Sequence, residues 1–105
     1  MRIALVTATF PPIACGIGDY TFHLSGELGR SHEVTVLTTR KGNLEQPRGV
    51  DLLRPFDGGD PKSVFAIVNE LERLRPDWAV VQYDPYSYGT RHAFNPYLPA
   101  ALALL

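Results

Sequence analysis

Short β-branched apolar runs alternate along this chain with stretches whose apolar residues recur every three or four positions. The run at residues 2–7, RIALVT, is nearly continuous and predicts a buried strand. Residues 19–29 carry helical spacing, with Ile17, Tyr20, Leu24 and Leu28 on one side and Gly29, Arg30 and Ser31 closing the helix. Residues 33–39, EVTVLTT, predict a second strand. Residues 40–49 hold Lys, Gly, Asn, Gln and Pro and read as a loop. A short third strand follows at residues 50–54, then a turn at residues 56–60. Asp60 is a good N-cap and Pro61 a good first helical residue. The helix behind them runs to about Leu74, with Val64, Ile67, Val68, Leu71 and Leu74 on one face. After Pro76 and Asp77, residues 78–83 predict a fourth strand, residues 84–94 a polar and aromatic loop, and Asn95 or Leu98 the start of a last helix.

The order β-α-β-β-α-β-α implies an α/β fold of Rossmann-like type, with a parallel sheet and helices on both faces. Right-handed crossovers carry the chain outward from the first strand and then back to its other side. The expected strand order is therefore 3-2-1-4. No helix separates the second strand from the third, so their relative direction is left open.

At 105 residues there is room for one domain, and a 45% hydrophobic content is enough for a core. The net charge is −1 with acids and bases interspersed, so there is no electrostatic case for nucleic acid. The single cysteine excludes an intrachain disulfide and fits a reducing compartment. The opening apolar run is too short for a signal peptide. The run from Tyr97 to Leu105 is far short of the roughly 20 residues that span a membrane. The chain stops in the helix formers AALALL without a cap, which reads as a piece cut from a longer protein.

The chemistry concentrates after the first strand, in FPPIACGIGDY. A strand, a glycine-containing turn and a helix N-terminus together favour an anion, because unpaired N–H groups and the aligned peptide dipoles point outward. Gly16, Ile17, Gly18 and Asp19 are the candidate contacts for a phosphate or sugar-phosphate. A dinucleotide fingerprint fits poorly. The loop before Gly16 is too long, Thr21 fills the third glycine place, and the second strand ends Thr38-Thr39-Arg40 without an acid. The Gly-Lys-Ser/Thr of a P-loop is absent.

Strand four would place Tyr83 and Asp84 beside the exit of strand one. Tyr83, Asp84, Tyr86 and Tyr88 combine aromatic faces with a carboxylate, which suits a sugar acceptor, and His92 lies in the same loop. Cys15 has no base placed near it and reads as a small loop filler; His23 and His32 read as structural or solvated. Asp57-Gly58-Gly59-Asp60 reads as a turn, and no metal site is expected.

FPPIACGIGDY with its amphipathic helix, then SHEVTVLTT, then RPDWAVVQYDP, resembles the amino-terminal domain of GT-B glycosyltransferases. The likeness is to the retaining, family 4-like group called glycosyl transferase group 1, and it spans nearly the whole chain. Cys15 and Ser31 stand where that family often has glycine. The resemblance implies that residues 1–105 are the amino-terminal part of an acceptor-side domain. A carboxy-terminal donor domain would hold most of the nucleotide-sugar, the donor substrate, and no further cofactor is implied. Gly16, Ile17 and Gly18 would face the donor phosphates and sugar across the cleft. The parent would be an enzyme moving a sugar to a sugar or lipid acceptor, in the cytoplasm or peripheral to the membrane. The fragment alone would be inactive, because the paired glutamates of the donor domain lie beyond Leu105. Two other readings stay open: a non-catalytic sugar- or phosphate-binding module, and a dinucleotide-dependent oxidoreductase domain. In the fragment, an unpaired edge at strand four would favour self-association.

Overall fold

A computed structural model describes residues 1–8, 10–11, 16–57, 60–82 and 103. The elements are β1 (Arg2–Thr7), α1 (Gly16–Leu28), β2 (Glu33–Thr39), β3 (Val50–Phe56), a 3-10 turn (Pro61–Ser63), α2 (Val64–Leu74) and β4 (Trp78–Gln82). The four strands form one sheet in the order β3-β2-β1-β4, and every pairing is parallel. The expected order is therefore realised, and the direction of β3, left open by the sequence, is resolved as parallel.

The pleat divides the core between two faces. Ile3 and Leu5 of β1, Val34 and Val36 of β2 and Val50 of β3 pack with Phe10 under Phe22, Leu24 and Leu28 of α1. Ala4, Val6 and Leu37 turn the other way and pack with Val64, Ile67, Val68 and Leu71 of α2. This is the period-two alternation of strands meeting the period-3.6 stripe of each helix. The helixless connection from β2 to β3 covers its share of the first face with Leu44, which packs on that cluster, and with buried Pro47.

The caps follow local chemistry. The Asp60 carboxylate accepts the Lys62 N–H at 3.1 Å, as a good N-cap should. Helix α2 ends on Arg75 in the left-handed region, φ 48°, and its N–H returns to the Leu71 carbonyl. A side-chain-bearing residue there costs roughly 1–2 kcal/mol. Asp77 fastens the start of β4 to β1 twice. Its carboxylate accepts the Arg2 N–H at 2.8 Å, and its own N–H donates to the Arg2 carbonyl at 2.8 Å.

Two boundaries differ from the sequence expectation. Helix α1 begins at Gly16 rather than at residue 19, so Gly16, Ile17 and Gly18 form its first turn instead of a preceding loop. Strand β3 runs on to Phe56 because Pro55 sits on an edge strand, in a bulge, where a missing N–H breaks no ladder. Strand β4 is described from Trp78 to Gln82, and Tyr83, its expected last residue, lies outside the described residues. The expected loop at residues 84–94 and the last helix lie outside the described residues, Ala103 apart.

Candidate functional site

Parallel strands deliver their chain ends to one edge, and α/β sheets bind ligands there. Thr7 pairs with Gln82, so β1 and β4 finish side by side. Beyond β1 the chain reaches α1, whose first turn is Gly16, Ile17, Gly18 and Asp19. The first four N–H groups of a helix have no partner inside it, and these residues carry them. Gly16 is exposed, and a Cβ built on it would meet no atom within 4 Å. Gly18 is buried and Ile17 half-buried, while the Asp19 side chain is exposed and contributes a carboxylate to the same turn. The turn thus offers donors and a favourable dipole, with Asp19 opposing part of that field.

The glycines here are not left-handed. Positive φ occurs at Gly42, Gly49 and Arg75 among the described residues. What Gly16 supplies is open space, not a special backbone conformation.

Thr21, in the third fingerprint place, is fully buried and donates its hydroxyl to the Ile17 carbonyl at 2.8 Å. Close helix–strand packing, which a glycine would permit at that place, is instead made by a threonine that hydrogen-bonds along its own helix.

The loop after β1 is docked on the loop after β2. Phe10 is fully buried and packs at 5.5 Å, ring to ring, on Phe22, and the Glu45 N–H donates to the Pro11 carbonyl at 2.9 Å. The carboxyl edge of the sheet is thereby continuous from β1 to β2. Tyr83, Asp84, Tyr86, Tyr88 and His92, the candidate acceptor contacts, lie outside the described residues, as does Cys15. His23 is exposed and meets the Phe22 ring edge-on, and His32 lies 3.3 Å from the N-terminal amine, far from this edge of the sheet. Asp60 caps the 3-10 turn, and Ser63 Oγ binds the Asp57 backbone at both N–H and C=O. No cluster of three or more His, Cys, Asp or Glu capable of holding a metal occurs among the described residues.

Two features of this edge escaped the sequence reading. The first is a bulge: Leu37 pairs with Leu53, but Thr39 pairs with Phe56, so β3 carries one extra residue at Arg54 and Pro55. From the bulge, Arg54 reaches across the end of β2 and donates to the carbonyls of Thr39, Arg40 and Gly42. Arg40 returns a bond from Nε to the Arg54 carbonyl at 3.2 Å. Pro55 inside an apolar run was the available signal. The second feature is Thr38, fully buried, whose hydroxyl has no hydrogen-bond partner among the described residues. Nothing in the sequence separates it from Thr39, whose hydroxyl accepts the Lys41 N–H.

The chain matches none of the family models, curated proteins or solved structures with which it was compared. Its fold therefore stands on the sheet itself: a four-stranded, all-parallel, Rossmann-like α/β arrangement. No helix among the described residues is long and apolar enough to cross a membrane.

Proposed function

We propose that this chain is the amino-terminal, acceptor-side part of a GT-B glycosyltransferase that moves a sugar from a nucleotide-sugar to an acceptor. The observation that carries the reading is the first turn of α1. Gly16, Ile17, Gly18 and Asp19 sit at the carboxyl edge of a parallel 3-2-1-4 sheet, and Gly16 is open to close approach. The resemblance of FPPIACGIGDY, SHEVTVLTT and RPDWAVVQYDP to that family adds the reaction class. In the reaction, the bond from the anomeric carbon to the diphosphate oxygen breaks and a bond to the acceptor oxygen forms. Unpaired amides at a helix N-terminus stabilise charge as it develops on the leaving diphosphate. The nucleotide-sugar is a substrate, and the reading needs no resident cofactor. Tyr83, Asp84, Tyr86, Tyr88 and His92 remain the proposed acceptor contacts, on sequence grounds. Buried Thr21, bonded to Ile17, weighs against the dinucleotide alternative.

The test is a titration of the full-length parent with nucleotide-sugars and with NAD, repeated on Gly16→Val. A Cβ at Gly16 meets no atom within 4 Å among the described residues, and a β-branched side chain there fills the approach to the helix amides. The expected result is saturable nucleotide-sugar binding that Gly16→Val weakens about tenfold or more, a loss of ~1.4 kcal/mol, with unchanged unfolding. Binding of NAD in preference to any nucleotide-sugar would overturn the reading.

A further inference from the structure

The carboxyl end of β2 carries a cluster of cations that the transferase reading does not use. Arg40 and Lys41 follow the last strand residue and are exposed, and Arg54 lies half-buried beneath them. Arg2, Arg30 and Arg73 each pair with a glutamate, Glu33, Glu27 and Glu70, whereas Arg48 and Arg75 pair with none among the described residues. Arg40, Lys41 and Arg54 make no ion pair among the described residues.

The local build has a consequence for the field at this edge. The ends of parallel strands present carbonyl oxygens, which repel an anion. Here one guanidinium takes up three of them, at Thr39, Arg40 and Gly42. A bulge on an edge strand aims that guanidinium, a role bulges often fill beside binding sites. The turn itself is held by the Lys41 N–H bond to Thr39 Oγ1 and by Gly42 at φ +74°. Arg40 is fixed in direction by its bond from Nε to the Arg54 carbonyl, and its N–H donates to the Phe56 carbonyl. The carboxylates in the adjoining segments are Glu45, in the loop after Lys41, and Asp57 and Asp60, after Phe56, whose carbonyl takes the Arg40 N–H. Asp60 is turned to the Lys62 amide, and Asp57 begins the turn that Ser63 binds. The Glu45–Pro11 bond joins this loop to the one leading into α1.

We propose that Arg40 and Lys41, on the turn that Arg54 holds, form a phosphate-binding subsite separate from the first turn of α1. Phosphate binding by this lip does not depend on the transferase reading; its assignment to a phosphate of the acceptor rests on that reading. A planar guanidinium with a fixed Nε suits a phosphate face, and the neighbouring ammonium adds a movable point charge. Arg54 is a positioning residue here, since its donors serve carbonyls.

Amide chemical-shift titration of the full chain tests the proposal, with inorganic phosphate as probe and chloride at matched ionic strength as control. Phosphate is expected to give saturable shifts at Arg40, Lys41 and Gly42 that chloride does not reproduce. The double variant Arg40→Gln, Lys41→Gln changes exposed side chains only and is expected to weaken this binding about tenfold, whereas Gly16→Val leaves it unchanged. A nucleotide-sugar titration of the full-length parent, which carries the donor domain, reports on residues 16–19 independently. Shifts there without any at residues 40–42 would sink the lip and spare the transferase reading; the reverse pattern would spare the lip and sink that reading. Phosphate affinity unaltered in the double variant would also overturn the proposal.

Discussion

Replacing Thr38 by valine should stabilise this protein. Thr38 is fully buried on β2, between β1 and β3, and its hydroxyl has no partner among the described residues. A buried hydroxyl without a hydrogen bond costs about 1–3 kcal/mol of desolvation that nothing returns. Valine keeps the shape, exchanges the hydroxyl for a methyl and suits a central strand. Allowing for imperfect fit of the added methyl, a net gain of about 1 kcal/mol is expected, equivalent to roughly 4–8 °C in a domain of this size. Thr21 supplies the control. It is also fully buried, but its hydroxyl donates to the Ile17 carbonyl at 2.8 Å. Thr21→Val should therefore lose about 1 kcal/mol. Thermal and urea unfolding of the two variants, followed by far-ultraviolet circular dichroism, gives both numbers. The opposite signs are the point of the comparison. If Thr38→Val destabilises as much as Thr21→Val, the Thr38 hydroxyl is satisfied in solution and the reasoning fails.

Gly29→Ala should destabilise by about 1–3 kcal/mol through overpacking, because a Cβ there would lie 3.0 Å from Val50 Cγ2 and 3.1 Å from the carbonyls of Gly49 and Ser25. Gly26→Ala, inside α1 with no atom within 4 Å of the new Cβ, should instead gain about 0.5–1 kcal/mol; urea midpoint shifts of equal sign would refute the pair. Trp78, the sole tryptophan, is 63% exposed on an edge strand beside Val80. Its native fluorescence should resemble that of a free indole and be readily quenched by iodide. A blue-shifted, protected emission at low concentration would show that this face is covered, and protection arising only on concentration would trace self-association to it.

The amino-acid pattern by itself was enough for the architecture. The continuous apolar and β-branched runs RIALVT and EVTVLTT, buried throughout after their first residue, and the stripe Val64, Ile67, Val68 and Leu71, are short-range signals that tertiary contacts only reinforce. Strand order followed because right-handed crossovers leave few ways to connect such elements. The Asp60 cap was equally legible, since its bond to Lys62 spans two residues. Where α1 begins was less so: Gly16 and Gly18 have poor helix propensity, yet the helix runs back over them, with Gly18 and Thr21 buried in its first turns. The direction of β3 also needed the fold, because a loop of polar residues does not say which way the next strand runs; β3 pairs parallel with β2, and half-buried Leu44 of the connecting loop packs on the α1 face. The same holds for the carboxyl edge of the sheet. Whether Arg54 is a solvated cation or a cap on three carbonyls depends on a one-residue slip between β2 and β3. Whether Thr38 or Thr39 finds a partner for its hydroxyl depends on which face of the pleat each occupies. Local periodicity fixes what each segment becomes. Only the register of one segment against another fixes which polar atoms meet, because hydrogen bonds act over a few tenths of an ångström and burial acts over whole faces.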